Sequence, residues 1–297
     1  GMGIAVNLYL EDWSNGMIHS PQYVFDMMDA LSCGPIRRFM IPDTLGILNP
    51  DNTYAFCSEM IRRYPDVRFD FHAHNDYDLA VANVMAAVKA GVHGIHTTIN
   101  GLGERAGNAP LSSVIAVLND QIKTPNGVVE RRINHVSRVV ETYTGVHIPA
   151  NKPVVGENVF TQCAGIHADG DNKDNLYYND LLPERFGRVR EYALGKMSGK
   201  ANIRKNLDAL GIDLDEESMR KVTERIIELG DKKQTVTSDD LPYIIADILR
   251  QDVQETRVHI LNYNLSLGQG LHPVATLKIR INDADYEETA SGDGQYD

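Results

Sequence analysis

The clearest alternation of apolar and polar side chains lies at residues 69–74. The odd-numbered residues of this segment, Phe69, Phe71 and Ala73, are apolar. The even-numbered residues, Asp70, His72 and His74, are polar. Because successive side chains of a strand point to opposite faces, the pattern predicts a strand with its apolar face against the core. It also places the two histidines side by side on the other face.

A helix and a second strand are predicted after the histidine strand. Apolar residues recur at helical spacing over residues 79–90, and Gly91 stands where a helix commonly ends. Residues 92–100 then predict a strand, which leads into the glycine-rich loop 101–108. Strand, helix and strand in this order form a right-handed parallel crossover. The glycine-rich loop is therefore expected at the same end of the sheet as the two histidines, where one of its polar side chains could join them.

The same criteria divide the rest of the chain into elements. Before the histidine strand and after the glycine-rich loop, the pattern predicts strands 4–10 and 37–41 and helices 21–32, 50–63 and 111–122. With the strands and helix described above, residues 4–122 form four strand–helix units. A (β/α)₈ barrel needs eight such units. Later residues predict a helix at 126–144, a proline-framed linker at 149–153, a polar loop at 169–180, a helix after residue 200, helices 215–229 and 238–250, and strands 257–264, 273–281 and 284–290.

The composition limits the class of protein. Of the 297 residues, 42% are hydrophobic and 24% are charged, which is ordinary for a soluble globular protein. No apolar run has membrane-span length and no signal peptide is found, while the scattered Cys33, Cys57 and Cys163 suit a reducing cytoplasm. The net charge of −12 argues against nucleic acid and anionic membrane as partners. An acidic substrate would need local positive charge from a metal or from arginines.

The two histidines of the predicted strand allow two interpretations. Imidazoles two positions apart on one strand face can chelate a single divalent metal. The same spacing also suits two polar residues at a solvated strand end, because short motifs produce false positives. The residues by themselves leave both interpretations open.

Several motifs resemble those of one enzyme family. They are HAHNDYDLAVAN (72–83), TINGLGERAGN (98–108), YLEDWSNG (9–16), PDTLGIL (42–48), GENVFTQCAGIHADG (156–170), NLYYN (175–179) and LPERFGR (182–188). Through them nearly the whole chain resembles the 2-isopropylmalate, homocitrate and citramalate synthases, acetyl-CoA-condensing metalloenzymes of the DRE-TIM metallolyase superfamily. The resemblance is strongest to citramalate synthase.

The resemblance implies an α/β fold in three parts. They are the C-terminal half of a TIM (β/α)₈ barrel at residues 1–123, α-helical linker subdomains at 124–253, and the start of an α+β effector domain at 254–297. The family's first strand carries an Arg-Asp pair whose aspartate is a metal ligand, and this sequence has no such motif. We therefore expect roughly the first half of the barrel to be absent, so that the chain self-associates, is completed by another polypeptide, or is a fragment.

The resemblance also implies a reaction, the aldol-type condensation of acetyl-CoA with an α-keto acid followed by thioester hydrolysis. The family's ligands for a divalent metal (Zn, Mn or Mg) match His72, His74 and Asn108. The metal would polarise the keto carbonyl as a Lewis acid. The implied small molecules are acetyl-CoA as co-substrate and an α-keto acid, which is pyruvate for citramalate synthase.

Three residues of the barrel half match family positions near the substrates. Glu11 follows a strand end, where barrels place catalytic groups, and matches an acid/base or orienting carboxylate, although Glu-Asp pairs are commonly solvated loop acids. Tyr9 shares the parity of Glu11 and could line the keto-acid pocket or be plain core. Thr44 matches a threonine that binds the keto-acid carboxylate, and would otherwise be a turn residue or helix cap.

Three residues beyond the barrel half match family residues that reach the active site of the partner subunit. They are His167, Asn175 and Tyr177, and their spacing alone would indicate a plain polar loop. The match gives His167 and Tyr177 catalytic roles, gives Asn175 a substrate-binding role, and implies a homodimer. Glu104 and Arg105 are expected to pair and to fix the last barrel loop.

Other histidine and cysteine side chains favour roles outside catalysis. His93 and His96 favour structural roles, although the role of His96 is more open because it lies on the strand that leads to Asn108. Cys163 lacks a neighbouring base that would make it a nucleophile. The competing functions are a citramalate synthase-like enzyme using pyruvate, the same reaction with 2-ketoisovalerate or 2-oxoglutarate, and a non-catalytic half-barrel that binds metal or pairs with another subunit. We expect negligible synthase activity from the isolated chain. With only about 40 residues of effector domain, we expect no response to isoleucine or leucine.

Overall fold

The computed structural model describes residues 4–162, 179–195, 198–232, 236–250, 258–268, 272–282 and 284–292. By its internal contacts the chain divides into two compact units, Gly1–Ala193 and Leu194–Asp297. This division concerns compactness and not family domains, so the predicted boundaries after residues 123 and 253 stay predictions.

The first unit is built on a four-stranded parallel sheet in the order β1-β2-β3-β4. The strands are β1 Val6–Tyr9, β2 Ile36–Asp43, β3 Phe69–Ala73 and β4 Gly94–His96. Parallel neighbours joined through helices confirm the predicted crossovers and the α/β, barrel-related architecture. β4 is shorter than the predicted 92–100, because the Thr98 N–H donates to the carbonyl oxygen of Ala109 instead of continuing the sheet.

Helices connect and follow these strands. They are α1 Trp13–His19, α2 Pro21–Leu31, α3 Pro50–Arg63, α4 Ala80–Ala90 and α5 Leu111–Val117. Local chemistry sets their ends: the Asn49 side chain accepts the N–H of Asn52 at the start of α3, and Gly91 takes a φ of 101° at the end of α4. Helix α1 was not predicted, because its polar stretch resembles a loop in sequence although Trp13 and Met17 are buried.

The apolar face of the sheet packs against the helices. Phe69, Phe71 and Ala73 of β3 are buried, and so are Phe39 and Ile41 of β2. This burial confirms the alternation predicted for β3. Because burying one such large side chain contributes about 1.5–3 kcal/mol, this face stabilises the unit and the opposite, polar face is left to carry chemistry.

The predicted helix start at residue 126 is wrong. A π-helical turn extends α5 over Leu118–Ile122, and the next α-helix, α6, spans Ile133–Thr144. Lys123 takes a left-handed φ of 59°, which ends the π-turn, and the backbone does not become helical again until Glu130. The apolar residues before α6 therefore lie on an extended connection.

An ionic cluster joins a segment after α6 to the segments that precede it. Arg185 donates to both carboxylate oxygens of Glu130 at 2.6 and 3.0 Å, and lies 2.8 Å from Asp120. The Arg185 guanidinium holds the pKa of Glu130 below its ordinary value of 4.5. Two short parallel strands, β5 Thr161–Gln162 and β6 Glu191–Tyr192, complete this part of the unit.

The described residues of the second unit form three α-helices and an antiparallel sheet of order β7-β8-β9. Its elements are α7 Lys200–Leu210, α8 Glu216–Asp231, α9 Leu241–Arg250, β7 Val258–Ser266, β8 Val274–Ile281 and β9 Ala284–Ser291. These confirm the predicted elements with ends shifted by a few residues. The Asp215 side chain caps α8, and Thr237 and Asp240 form a capping box before α9. No helix in the described part of the chain is long and apolar enough to cross a membrane.

Candidate active site

The carboxyl ends of the parallel strands lie along one edge of the sheet, and the loops that follow them carry the predicted site residues. His72 and His74 lie at the end of β3 with ring centroids 5.1 Å apart, so they are neighbours on one face as predicted. His96 of β4 is the register partner of His72, and its ring lies 5.7 Å from that of His72.

Asn108 reaches the same place from the loop after β4. His74 and Asn108 form an isolated antiparallel bridge, and the Asn75 N–H donates to the carbonyl oxygen of Gly107 at 3.0 Å. Gly107 has a φ of 85°, and a Cβ there would lie 2.0 Å from the carbonyl oxygen of Gly101. The loop can therefore close onto β3 only with glycine at this position.

The polar atoms at this point fit part of a metal coordination shell. Nδ1 of His72, Nδ1 of His74 and Oδ1 of Asn108 are buried and have no hydrogen-bond partner among the described residues. Since buried polar atoms are nearly always paired, these three have unused capacity for a bound group. The set is neutral, and the part of the chain that the structure describes holds no group of three or more His, Cys, Asp or Glu side chains suited to a metal ion. The residues thus supply two imidazoles and one amide, without an anionic ligand.

The protonation state of His72 suits a metal ligand. Burial, reinforced by neighbouring His74 and His96, lowers the pKa of the His72 imidazole to about 4. The ring is therefore neutral at pH 7, which is the form that binds metals.

The three substrate-side candidates lie at the ends of β1 and β2. Glu11 follows β1 with an exposed side chain. The Tyr9 hydroxyl lies 3.2 Å from Nδ1 of His96, so Tyr9 faces the histidine side of the sheet, as its parity predicts. Oγ1 of Thr44 accepts the backbone N–H of Asp12 at 3.0 Å, a bond that does not use the hydroxyl proton of Thr44.

A partly buried ion pair next to the histidines was not predicted from the sequence. Arg38 Nη1 lies 2.8 Å from Asp70 Oδ2, and His96 Nε2 lies 3.7 Å from the same oxygen. Asp70 is only 3% exposed. Asp70 lies two residues before His72 and therefore on the same face of β3, which was a signal in the sequence that could have indicated its place near the histidines. Arg38 lies on another strand and reaches Asp70 only through the register of β2 and β3.

Arg105 has a different main partner from the predicted one. Its guanidinium donates to both carboxylate oxygens of Asp76 at 2.8 and 3.0 Å and to the carbonyl oxygen of Thr44 at 2.8 Å. The expected partner, Glu104, lies farther away at 3.6 Å. Arg105 therefore ties down its loop as predicted, but chiefly through Asp76, and the sequence analysis missed that residue.

Some of the remaining predicted residues lie outside the described part of the chain, and His93 and His96 lie within it. His167, Asn175, Tyr177 and Cys163 lie outside the described residues. His93 is structural, since its Nδ1 accepts the backbone N–H of Phe69 at 3.3 Å. His96, in contrast, touches the candidate site, so the plain structural interpretation of that residue is incomplete.

Comparison with known families matches two consecutive segments of the chain. The family described as HMGL-like matches residues 3–140, and the family described as homocitrate synthase post-HMGL domain-like matches residues 154–234. The first match covers the strands and loops that carry His72, His74 and Asn108.

Two curated relatives are similar over almost the whole chain. A Methanopyrus kandleri protein provisionally named (R)-citramalate synthase CimA is 35% identical over 99% of this chain, and one from the same organism provisionally named 2-isopropylmalate synthase is 34% identical over 99%. The chain spans 57% and 58% of their lengths.

A solved structure of hydroxymethylglutaryl-CoA lyase from Pseudomonas aeruginosa is 21% identical, covering 43% of this chain and 45% of its own. Its TM-score of 0.40 is too low to support a fold assignment. The assignment rests instead on the motifs, the parallel α/β sheet and the family matches. Residues 3–140 match the HMGL-like family and residues 154–234 match the homocitrate synthase post-HMGL domain-like family, and the chain is similar over almost its whole length to proteins named citramalate and 2-isopropylmalate synthases.

Proposed function

We propose that this chain forms part of an acyltransferase that condenses acetyl-CoA with an α-keto acid and releases coenzyme A. The carrying observation is that His72, His74 and Asn108 meet at one strand end with buried polar atoms that lack partners among the described residues. The similarity to proteins named citramalate and 2-isopropylmalate synthases supports this reaction class. In this proposal residues 1–123 are the catalytic half-barrel, 124–253 the linker subdomains and 254–297 the start of a regulatory domain.

A divalent ion (Zn, Mn or Mg) would be held by His72, His74 and Asn108. When bound, the ion would supply Lewis-acid polarisation of the keto carbonyl. Because this ligand set is neutral, we expect weak affinity for the chain by itself.

The chain's own residues bind and orient the substrates in this proposal. Thr44 donates its unused hydroxyl proton to the keto-acid carboxylate. Tyr9 forms one wall of the keto-acid pocket, with its hydroxyl fixed by His96. Glu11, exposed at the end of β1, serves as the acid/base or orienting carboxylate beside the acetyl group.

The finer assignments rest on resemblance. His167 and Tyr177 act as catalytic residues and Asn175 binds substrate, each contributed across a homodimer. Pyruvate is the proposed keto acid, with 2-ketoisovalerate and 2-oxoglutarate as alternatives that other family members use. We place the enzyme in the cytoplasm, with no nucleic-acid or membrane partner.

The test is coenzyme A release from acetyl-CoA and each of the three keto acids, followed with a thiol reagent in the presence of Mn²⁺. The chain is assayed alone and with a polypeptide covering the part of the relatives that it does not span. We expect negligible release from the chain alone and turnover near about 1–10³ s⁻¹ with the added polypeptide and pyruvate. His72→Ala should abolish most of that turnover, and His147→Ala, which alters a 93% exposed side chain, should leave it unchanged.

Two other results have clear meanings. Preference for another keto acid would retain the reaction class and change the substrate. Mn²⁺ binding without turnover in either arrangement would favour the alternative function, a non-catalytic half-barrel that binds metal or pairs with another subunit.

A further inference from the structure

We propose that Arg105 is a positioning residue that holds the candidate metal ligand Asn108 and the candidate substrate residue Thr44 in one fixed arrangement. This inference rests on the proposed function, because it assigns Arg105 a role only if Asn108 binds a metal. It goes further by naming a residue that touches neither metal nor substrate and acts through its neighbours.

The Arg105 guanidinium joins three loops at the carboxyl edge of the sheet. It starts from the loop after β4, forms a two-pronged bond with Asp76 of the loop after β3, and donates to the Thr44 carbonyl oxygen in the loop after β2. A planar guanidinium can make these bonds at once, whereas the ammonium of lysine cannot reproduce a two-pronged bond to a carboxylate.

The backbone around Arg105 forms a tight turn that directs its side chain toward Asp76 and Thr44. Arg105 takes a left-handed φ of 54°, which is unfavourable for a residue with a Cβ, and Gly107 follows with a φ of 85°. The chain then runs directly into Asn108, whose amide nitrogen donates to the Leu102 carbonyl oxygen at 3.0 Å. The direction of the Asn108 side chain therefore depends on the same short turn that Arg105 anchors.

The plain alternative is an ordinary surface ion pair. The Arg105 and Asp76 side chains are 37% and 24% exposed, and pairs of that kind add little to stability. An ordinary pair would not explain the added bond to the Thr44 carbonyl or the left-handed backbone of Arg105. Both features tie the loop that carries Asn108 to the loop that carries Thr44. The expected consequence is lost site geometry and not lost stability.

The experiment measures Mn²⁺ affinity of the full chain by isothermal titration calorimetry, with thermal unfolding of each variant recorded in parallel. Arg105→Met, Arg105→Lys and Asp76→Asn should each weaken Mn²⁺ binding about 10–100-fold, the usual effect of losing a residue that orients a metal ligand. The double variant Arg105→Met/Asp76→Asn should be no weaker than either single one, since both remove the same connection. Arg62→Met is the matched control, because the Arg62 side chain is 72% exposed and pairs with Glu59 on its own helix.

The outcomes separate this inference from the function on which it rests. If His72→Ala weakens Mn²⁺ binding but Arg105→Lys and Asp76→Asn bind as well as the unmodified chain, the positioning role of Arg105 is wrong and the metal site stands. If His72→Ala itself has no effect, the metal site and the positioning role both fail. If Arg105→Met unfolds at a lower temperature than the Arg62→Met control, the folded Arg105→Lys and Asp76→Asn variants decide the question. Unchanged binding in both would overturn the proposal.

Discussion

His74 and Asn108 face each other across an isolated antiparallel bridge, although one ends a strand and the other lies in the loop after the next strand. The bridge puts an imidazole and an amide on adjacent backbones. Metal ligands held by backbone pairing lose little freedom on binding an ion, which favours a preformed site.

Asn108→Ala should weaken Mn²⁺ binding at least as much as the about 10–100-fold loss expected for a residue that only orients a ligand, because it removes one of the three proposed ligands. Calorimetric titration of the full chain gives the measurement. Asn52→Ala, at an exposed position of α3, is the control and should bind Mn²⁺ normally. Equal affinity of the two variants would exclude Asn108 as a ligand.

Gly107→Ala should both lower stability and weaken Mn²⁺ binding. The left-handed φ alone costs a residue with a Cβ about 1–2 kcal/mol, and that Cβ would lie 2.0 Å from the Gly101 carbonyl oxygen. Urea unfolding and Mn²⁺ titration test the two effects. Gly127→Ala is the control, since a Cβ there meets nothing within 4 Å. A Gly107→Ala protein that matched this control in both assays would contradict the described turn.

Glu130→Gln should destabilise the first unit at neutral pH by about 1.5–3 kcal/mol, the range for hydrogen bonds to charged groups. Arg185 lowers the pKa of Glu130 in the folded protein below its ordinary value of 4.5. The carboxylate therefore contributes stability that is fully present above pH 4.5 and is lost as the pH falls through the lower, folded pKa. The unfolding temperature measured between pH 3 and pH 7 should depend less on pH for Glu130→Gln than for the unmodified chain.

The control for this prediction is Glu59→Gln, which removes a pair with Arg62 whose side chain is 72% exposed. Exposed pairs of this kind contribute about 0–1 kcal/mol, so this variant should unfold almost like the unmodified chain at every pH. Equal pH dependence of Glu130→Gln and the unmodified chain would show that Glu130 titrates alike in the folded and unfolded states.

Arg38→Met should lower the free energy of unfolding by about 1.5–3 kcal/mol, the range for hydrogen bonds to charged groups, because it leaves the buried Asp70 carboxylate without its arginine partner. The double variant Arg38→Met/Asp70→Asn should recover part of that loss. Chemical denaturation of both variants is the measurement, and Arg37→Met, at an exposed neighbouring position, is the control. A double variant as unstable as Arg38→Met would indicate that the arginine stabilises the sheet by packing and not by charge.

Features that depend on neighbouring residues could be predicted from the amino-acid sequence. The alternation in β3 fixed which side chains enter the core and placed His72 and His74 on one face, since a strand repeats every two residues. Asn49 and Gly91 marked helix ends through bonds and dihedral angles within a few residues of themselves. The order of strands and helices was enough to predict a parallel sheet.

Contacts between residues far apart in sequence could not be predicted in this way and become visible in the folded protein. The register of β2 and β3 brings Arg38 to Asp70, and a slip of one residue would turn either side chain to the other face. The reversal at Gly107 brings Asn108 to His74, and Arg105 reaches Asp76 in preference to the adjacent Glu104. These pairings join residues that are far apart in sequence, so they depend on how loops and strands pack together and not on any local period.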